Sequence, residues 1–356
     1  MTAVADYRSV TVPQGGTVPN DVDAPEAVAV ALERAKGGLV RTIYRLDDGD
    51  RWIVALGLHR PGTAQEKLTA WAGDPTLLAA LADRVAEQVA SWGAISLKLE
   101  VPSSAIDWLT AATEAGFASF RSPLSSGPAT VDAASAPRGF VRRLGGWTAP
   151  ELAYYRQTTD ITCGPVASAT AAHATGWAEE LVRGEELQLW REATTFPGCG
   201  PYGLATGLAS RAIPATVVVN TTAAMQLEET PAAWLAEMRE YVNTEFRLQA
   251  EAAGVVLEHR EFDVDEIFAR VAAGQVVVLL IDQLLMHAEA CAHWVTVHAA
   301  HGDVALVEDP WTDHDLGESW VDAHELAVTR DALATMASWG TPVYQSMLVL
   351  EPAPTS

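Results

Sequence analysis

Residues 155–168, YRQTTDITCGPVAS, set a glutamine at 157, a cysteine at 163 and Gly164-Pro165 directly before a run of small residues. A cysteine is nucleophilic as its thiolate, and a helix N-terminus favours that anion through free N–H groups and the helix dipole. Pro165 suits a first helical turn and Gly176 a helix end, so a helix reaching about Thr175 would carry Cys163 at its mouth. Gln157 offers an amide that, with the Cys163 backbone N–H, could stabilise charge developing on a carbonyl oxygen during acyl transfer. Taken singly, Cys163 is equally at home as a small buried apolar residue, and Gln157 as a surface glutamine.

A thiol nucleophile needs a base. Of the nine histidines, His173 falls within the same helix and points away from its mouth, which reads as packing or surface. His293 stands in AHWVTVHAAHGDVALVEDPW, two strand-like runs about a three-residue loop that ends in Gly302 and pairs Ala299 with Asp303. That register sets His293 opposite Asp309, on a face shared with Val295, Val297, Ala305 and Val307. A carboxylate in that place fixes the tautomer of an imidazole and stabilises its charged form. A purely structural ion pair is the competing reading. PGCGPYGLATG holds a second Cys-Gly-Pro at Cys199, but the position six residues upstream is Ala193. Cys199 is therefore expected beside a substrate groove, with a structural thiol in a glycine-rich turn as the alternative and a nucleophile last, and Gly164, Cys199, Gly200, Tyr202 and Trp294 are expected as substrate-binding residues. Cys291 reads as packing, and Asp282 and His287 as groups at the edge of the site.

The elements that would hold these residues fall into two parts. Residues 1–25 read as a poorly ordered lead-in and 26–121 as a small α/β domain. That domain has two strands about DDGD, a helix opened by Asp74-Pro75, the strand ISLKLEV, a second helix ending at Gly116, and FASF starting another strand. Residues 122–140, rich in Ser, Pro, Ala and Gly, read as a linker. Residues 141–356 carry the candidate site. Within them Thr230 and Pro231 would open a helix with Trp234, Met238, Val242 and Leu248 on its apolar side. DVDEIFARVAAGQ reads as a helix closed by Gly274, and VVVLLI as a buried strand.

At 356 residues with 49% hydrophobic and 19% charged side chains, the chain has room for two globular domains. A net charge of −23 argues against nucleic acid or an anionic membrane as partner. The first residues show no basic segment leading into an apolar one, so no signal peptide is expected. Three cysteines suit free thiols in the cytoplasm. No metal-ligand spacing stands out, and no cofactor is expected.

QTTDITCGP, followed far downstream by HWVTV and DPW, resembles the papain-like cysteine peptidases that process double-glycine leader peptides of bacteriocins, and their wider bacterial relatives. ELQLWREAT and GCGPYGLA resemble a subgroup in which this domain follows an acetyltransferase-like one. The resemblance spans roughly residues 150–350. It implies an α+β fold in which a papain-like catalytic domain, a helical half packed on an antiparallel sheet, follows a smaller α/β domain. It also implies Cys163 as nucleophile, His293 as base, Asp309 as its orienter and Gln157 as oxyanion donor. The first part lacks the Gly-rich Arg/Gln-x-x-Gly-x-Gly/Ala loop that would hold a pyrophosphate, so it reads as a degenerate acetyltransferase-like domain, or an unrelated one, that supports the catalytic domain and does not bind acetyl-CoA. The activity implied is that of a peptidase or amidase of narrow specificity on a peptide or small amide. An amide-forming aminoacyl or peptidyl transferase with the same site, and a catalytically silent binding protein of the same fold, are the alternatives.

Overall fold

The computed structural model describes residues 5–19, 24–36, 38–128, 133–228 and 231–354. The chain folds into two units, each built on one sheet. In the first, strands β1 (Asp6–Val12), β2 (Val40–Asp48), β3 (Arg51–His59), β4 (Gln65–Gly73), β5 (Ser96–Val101), β6 (Ala118–Ser119) and β7 (Arg138–Arg143) lie in the order β1-β2-β3-β4-β5-β7-β6. Pairing is antiparallel except between β4 and β5, which helix α2 (Leu78–Ala90) connects in parallel. Helices α1 (Glu26–Arg34) and α3 (Ile106–Glu114) complete it. Asp74 accepts from Thr76 N at the start of the short turn that leads into α2. Leu78, Leu81, Val85 and Val89 of α2 are buried against the sheet.

Helix α1 and strand β4 fall outside the expected elements, and two further segments contradict the expectation. Asp6–Val12, placed in a poorly ordered lead-in, forms β1 and pairs with β2 along its whole length. Arg138–Arg143, at the end of the expected linker, forms β7 and pairs with β5. Composition misled here because Phe140 and Val141, which bury into that sheet, sit at the tail of a Ser/Pro/Ala-rich stretch. Residues 129–132 of that stretch lie outside the described residues.

The second unit holds β8 (Thr216–Val219), β9 (Val256–His259), β10 (Val276–Asp282), β11 (Ala292–His301), β12 (Val304–Glu308), β13 (Leu326–Thr329) and β14 (Ser346–Leu350). Their order is β13-β12-β11-β10-β14-β8-β9, antiparallel except for β8 with β9. Helices α4 (Cys163–Ala174), α5 (Arg183–Ala193), α6 (Pro201–Ala209) and α7 (Ala233–Ala252) form the helical half. Helices α8 (Val264–Ala272), α9 (Leu284–His287), α10 (Trp320–Ala323) and α11 (Arg330–Met336) follow. The sheet is covered on both faces. Ala171, Leu204 and Leu208 pack with Val278 and Leu280 on one side, while Ile267 and Leu333 pack with Val277 and Leu279 on the other. This two-sided burial is why β10 reads as an unbroken apolar run rather than an alternating one. The fold is α+β.

Helix α7 turns the face expected to be apolar outward. Trp234, Met238 and Leu248 are exposed, whereas Arg239, Asn243 and Ala250 are buried. Polar partners decide this: Arg239 donates to Phe196 O at 3.0 Å and Asn243 Nδ2 to Thr222 O at 2.9 Å. Thr230, the expected cap, lies outside the described residues.

The two units meet across a polar, buried interface. Lys67 of β4, fully buried, binds Glu100 at 2.8 Å and the Asp322 carboxylate of α10. Lys98 Nζ donates to His324 O at 2.6 Å, and Gln65 bridges Asp322 O and Ala327 N. Arg143 pairs with Glu325 at 2.6 Å. Removing one partner of such a buried pair leaves an uncompensated charge, a loss of about 3–5 kcal/mol. Lys67→Met is therefore expected to destabilise the protein by that order in urea denaturation. A change below about 1 kcal/mol would show that the interface contributes little to stability.

Candidate active site

Helix α4 begins at Cys163 itself, so the thiol occupies the first helical position. The helix is buried on nearly every side, which explains its small residues; a Cβ on Gly164 would come within 3.1 Å of Leu204 and Trp294. The loop leading into α4 is clamped by Glu186 of α5, a buried carboxylate in the ELQLWREAT stretch. It accepts from Thr158 N at 2.7 Å, from Tyr155 Oη and Thr158 Oγ1 at 2.9 Å each, and from the Thr162 hydroxyl. Gln157 N donates to Pro310 O at 2.9 Å, tying this loop to the segment after β12. Arg156 reinforces that tie, donating to Thr312 Oγ1 and Thr312 O at 2.8 Å each and stacking on Trp311.

His293 lies on β11 beside Ile281 of β10. The hairpin into β12 differs from the expected one: its loop is two residues, Gly302-Asp303, pairing His301 with Val304, and a bulge falls between Val297 and Ala299. Gly302 at the first loop position takes the positive φ of 54° that such a turn requires. The pairing shifts by two residues and Asp309 falls just beyond β12, yet a shift of two keeps the same sheet face. His293 Nε2 meets Asp309 Oδ1 at 2.8 Å. The other ring nitrogen, Nδ1, is left for the hydrogen bond that joins His293 to Cys163.

Cys163, His293 and Asp309 thus form one chain of contacts. Burial works against each charge in it, and the partners outweigh burial. The Asp309 charge and hydrogen bond, with the Cys163 sulfur, raise His293 to about 10. The hydrogen bond and charge of His293, then the backbone N–H groups of Trp294 and Gly164, hold the Cys163 thiol below its ordinary value. Asp309, fully buried, is held well below the carboxylate range by His293 and Arg60. The arrangement favours a thiolate–imidazolium pair anchored by a carboxylate.

A cavity of 340 Å³ opens over the thiol, lined by Gln157, Asp160, Cys163, Gln283, His287, Glu289, Cys291, Ala292, His293, Trp311, Asp313 and Leu316. Gln157 Nε2 gives one hydrogen to Thr159 O at 2.7 Å and keeps a second. Cys291, expected as packing, is exposed, and both it and His287 line the cavity, whereas Asp282 does not. The expected substrate-binding set is otherwise absent from this wall. Gly164, Cys199, Gly200, Tyr202 and Trp294 are buried behind the thiol. Trp294 Nε1 donates to Cys199 O at 3.0 Å, and Tyr202 Oη meets His259 Nε2 at 2.9 Å. Adjacency to Cys163 and His293, or a second Cys-Gly-Pro, marked these residues, but strand and helix geometry turns the side chains of Cys199, Tyr202 and Trp294 into the core. Among the described residues no group of His, Cys, Asp and Glu is arranged to hold a metal ion. None of the described helices is long and apolar enough to cross a membrane.

The three thiols should respond differently to iodoacetamide near neutral pH. Burial pushes Cys199 well above the thiol range; loss of water around the Cys291 sulfur, followed by the Cys163 charge, pushes that thiol to about 11 although the residue reaches the surface. Selective labelling of Cys163, read by peptide mass spectrometry, is expected; faster labelling of Cys291 would contradict the charge arrangement.

Residues 152–351 match the model of the Peptidase_C39 like family. None of the curated proteins matches the chain. Among solved structures, one described as a C39-like peptidase from Bacillus anthracis is 12% identical, covering 57% of this chain and 96% of its own at a TM-score of 0.32. An IAA acetyltransferase from Bacillus cereus ATCC 14579 is 15% identical over 39% of this chain and 100% of its own, at a TM-score of 0.27. A ribosomal-protein-S18-alanine N-acetyltransferase from Escherichia coli is 15% identical over 42% of this chain and 100% of its own, at 0.25. The assignment rests on the family match, which spans more than half of the sequence and contains Gln157, Cys163, His293 and Asp309: the chain belongs to the C39-like peptidase family.

Proposed function

We propose that the protein is a cysteine-nucleophile acyl-transfer enzyme, most simply a peptidase or amidase of narrow specificity. The observation that carries this reading is the continuous contact from Cys163 through His293 to Asp309 at the floor of a cavity. The Cys163 thiolate attacks the substrate carbonyl carbon, and the oxygen takes up the electron pair. Gln157 Nε2 and the Cys163 backbone N–H stabilise that oxyanion. As the C–N bond breaks, His293 gives its proton to the departing amine, leaving a thioester on Cys163. Neutral His293 then takes a proton from water, which attacks the thioester and releases the acid. Asp309 keeps the imidazole in one tautomer and orientation throughout.

An amine in place of water would make the same thioester the intermediate of an amide-forming enzyme. The cavity wall favours an amine-bearing ligand to this extent: Asp160, Glu289 and Asp313 line it and no Lys or Arg does. Trapping the Cys163 acyl-enzyme from cell extract and identifying the adduct by mass spectrometry separates the two. A peptide ending at its scissile carbonyl supports hydrolysis; a small acyl group released only on adding an amine supports transfer.

Turnover of the trapped substrate is expected to be abolished in Cys163→Ala and lowered about 10²-fold or more in Gln157→Ala and Asp309→Asn. The pH dependence has a definite sign. Turnover needs the imidazolium proton, so it should fall as pH rises through about 10, the raised value of His293. Alkylation of Cys163 needs the thiolate alone and should not fall there. Parallel loss of both would contradict the assigned role of His293.

A further inference from the structure

We propose that Arg60, carried by the first unit, is a positioning residue for the Cys163 site: it holds the Asp309 carboxylate against His293, so the site is complete only with both units docked. The inference rests on the acyl-transfer reading of Cys163, His293 and Asp309.

Arg60 follows β3 directly and is 1% exposed. Its guanidinium reaches into the second unit. Nη1 donates to Asp309 Oδ2 at 2.6 Å, while Nε and Nη2 grip Glu318 Oε1 and Oε2 at 2.7 and 2.9 Å. The other Asp309 oxygen, Oδ1, takes His293 Nε2 at 2.8 Å and Trp311 N at 2.9 Å. Both oxygens of the carboxylate are therefore committed, one to the imidazole and one to Arg60, which fixes the carboxylate plane as well as its position. A lysine could supply the charge but not the planar fork that spans two carboxylates.

The backbone that carries Arg60 is itself anchored on the second unit. Thr63 N and Oγ1 both donate to Arg60 O, closing a turn. Gly62, at φ +77°, lies against α11, where a Cβ would come within 2.7 Å of Ala332. Thr329 N donates to Gly62 O at 3.0 Å and Ala64 N to Ala327 O at 2.7 Å, so residues 62–64 extend the second sheet beyond β13. The placement of Arg60 follows from this docking.

The charged neighbours alternate: His293, Asp309, Arg60, Glu318. His287 Nδ1 stands 3.8 Å from Glu318 Oε1, and burial followed by the Arg60 charge lowers His287 to about 4, which leaves it neutral. Tyr154 Oη donates to Asp309 O at 3.0 Å, and Asp322 and Lys98 also act on Arg60 or feel its charge. Without Arg60, the Asp309 carboxylate keeps the imidazole and one backbone N–H but nothing holds its second oxygen. A looser imidazole holds the Cys163 thiolate less well, so the thiol pKa rises even when Glu318 is neutralised together with Arg60.

The test is the pH–rate profile of Cys163 alkylation by iodoacetamide in the full chain, with folding followed by thermal denaturation. Arg60→Met alone would leave Glu318 buried without its counter-charge, so the variant is Arg60→Met with Glu318→Gln. An upward shift of the acid limb by half a pH unit or more, seen as a loss of about threefold or more in rate at a pH on that limb, is expected. Arg60→Lys should fall between the two. A folded double variant with the wild-type profile would overturn the proposal and leave Arg60 as an interface ion only. Should the double variant not fold, Arg60→Gln with Glu318→Gln is read by the same criterion. Failure of wild-type Cys163 to alkylate is a separate result, which would overturn the reading of the site itself.

Discussion

A carboxylate without water must be surrounded by donors or lose its charge, and Asp309 is such a carboxylate. Its environment accounts for much of the architecture around it. The strands deliver His293 to one oxygen, the segment after β12 folds back to offer Trp311 N, and a residue from another sheet reaches the second oxygen. Glu318 then balances Arg60, and the network stays close to neutral although every charged member is hidden from solvent. The thiolate at Cys163 is the far end of this chain. That charged form is favoured by the imidazole beside it, whose pKa is raised by a carboxylate that has nowhere else to go.

A second constraint acts on the loop before α4. Cys163 and the amide of Gln157 are held together although residues 158–162 between them form no regular secondary structure. Glu186 supplies the rigidity that a strand or helix would otherwise give, accepting four hydrogen bonds from Tyr155, Thr158 and Thr162. Thr296 Oγ1, donating to Ala167 O at 2.8 Å, then joins α4 to the strand that carries His293. The two halves of the site are thus locked by hydrogen bonds from polar groups within the core, where each is strong because water does not compete.

What could be read from the chain was whatever local pattern controls. The helix mouth at Cys163, the apolar run of β10 and the meeting of His293 with Asp309 all follow from residue types at short range, and the last survived a two-residue error in the hairpin register because side-chain faces repeat every second residue. The failures have one origin. Strand β4, with Gln65, Lys67 and Lys98 of its neighbour buried, shows no apolar alternation because its polar side chains serve the other unit. Arg239 and Asn243 turned α7 over for the same reason: a buried polar group with a partner overrides hydrophobic periodicity. Arg60 carries no local mark at all, since its partners Asp309 and Glu318 lie some 250 residues away. Cys199 and Tyr202 misled in the opposite sense, since neighbours in sequence need not share a wall.

The short addition of residues 62–64 to β13 has a consequence for assembly of the chain. An open sheet edge is a template for any other strand, and proteins cover or blunt such edges. At one end of the second sheet the covering comes from the first unit. A second unit made alone, or a chain in which the connection between units is cut and the halves drift apart, would present the β13 edge together with Asp322, Glu318 and Asp309 stripped of Lys67 and Arg60. Association of such fragments through that edge would then compete for the surface that the docked first unit covers.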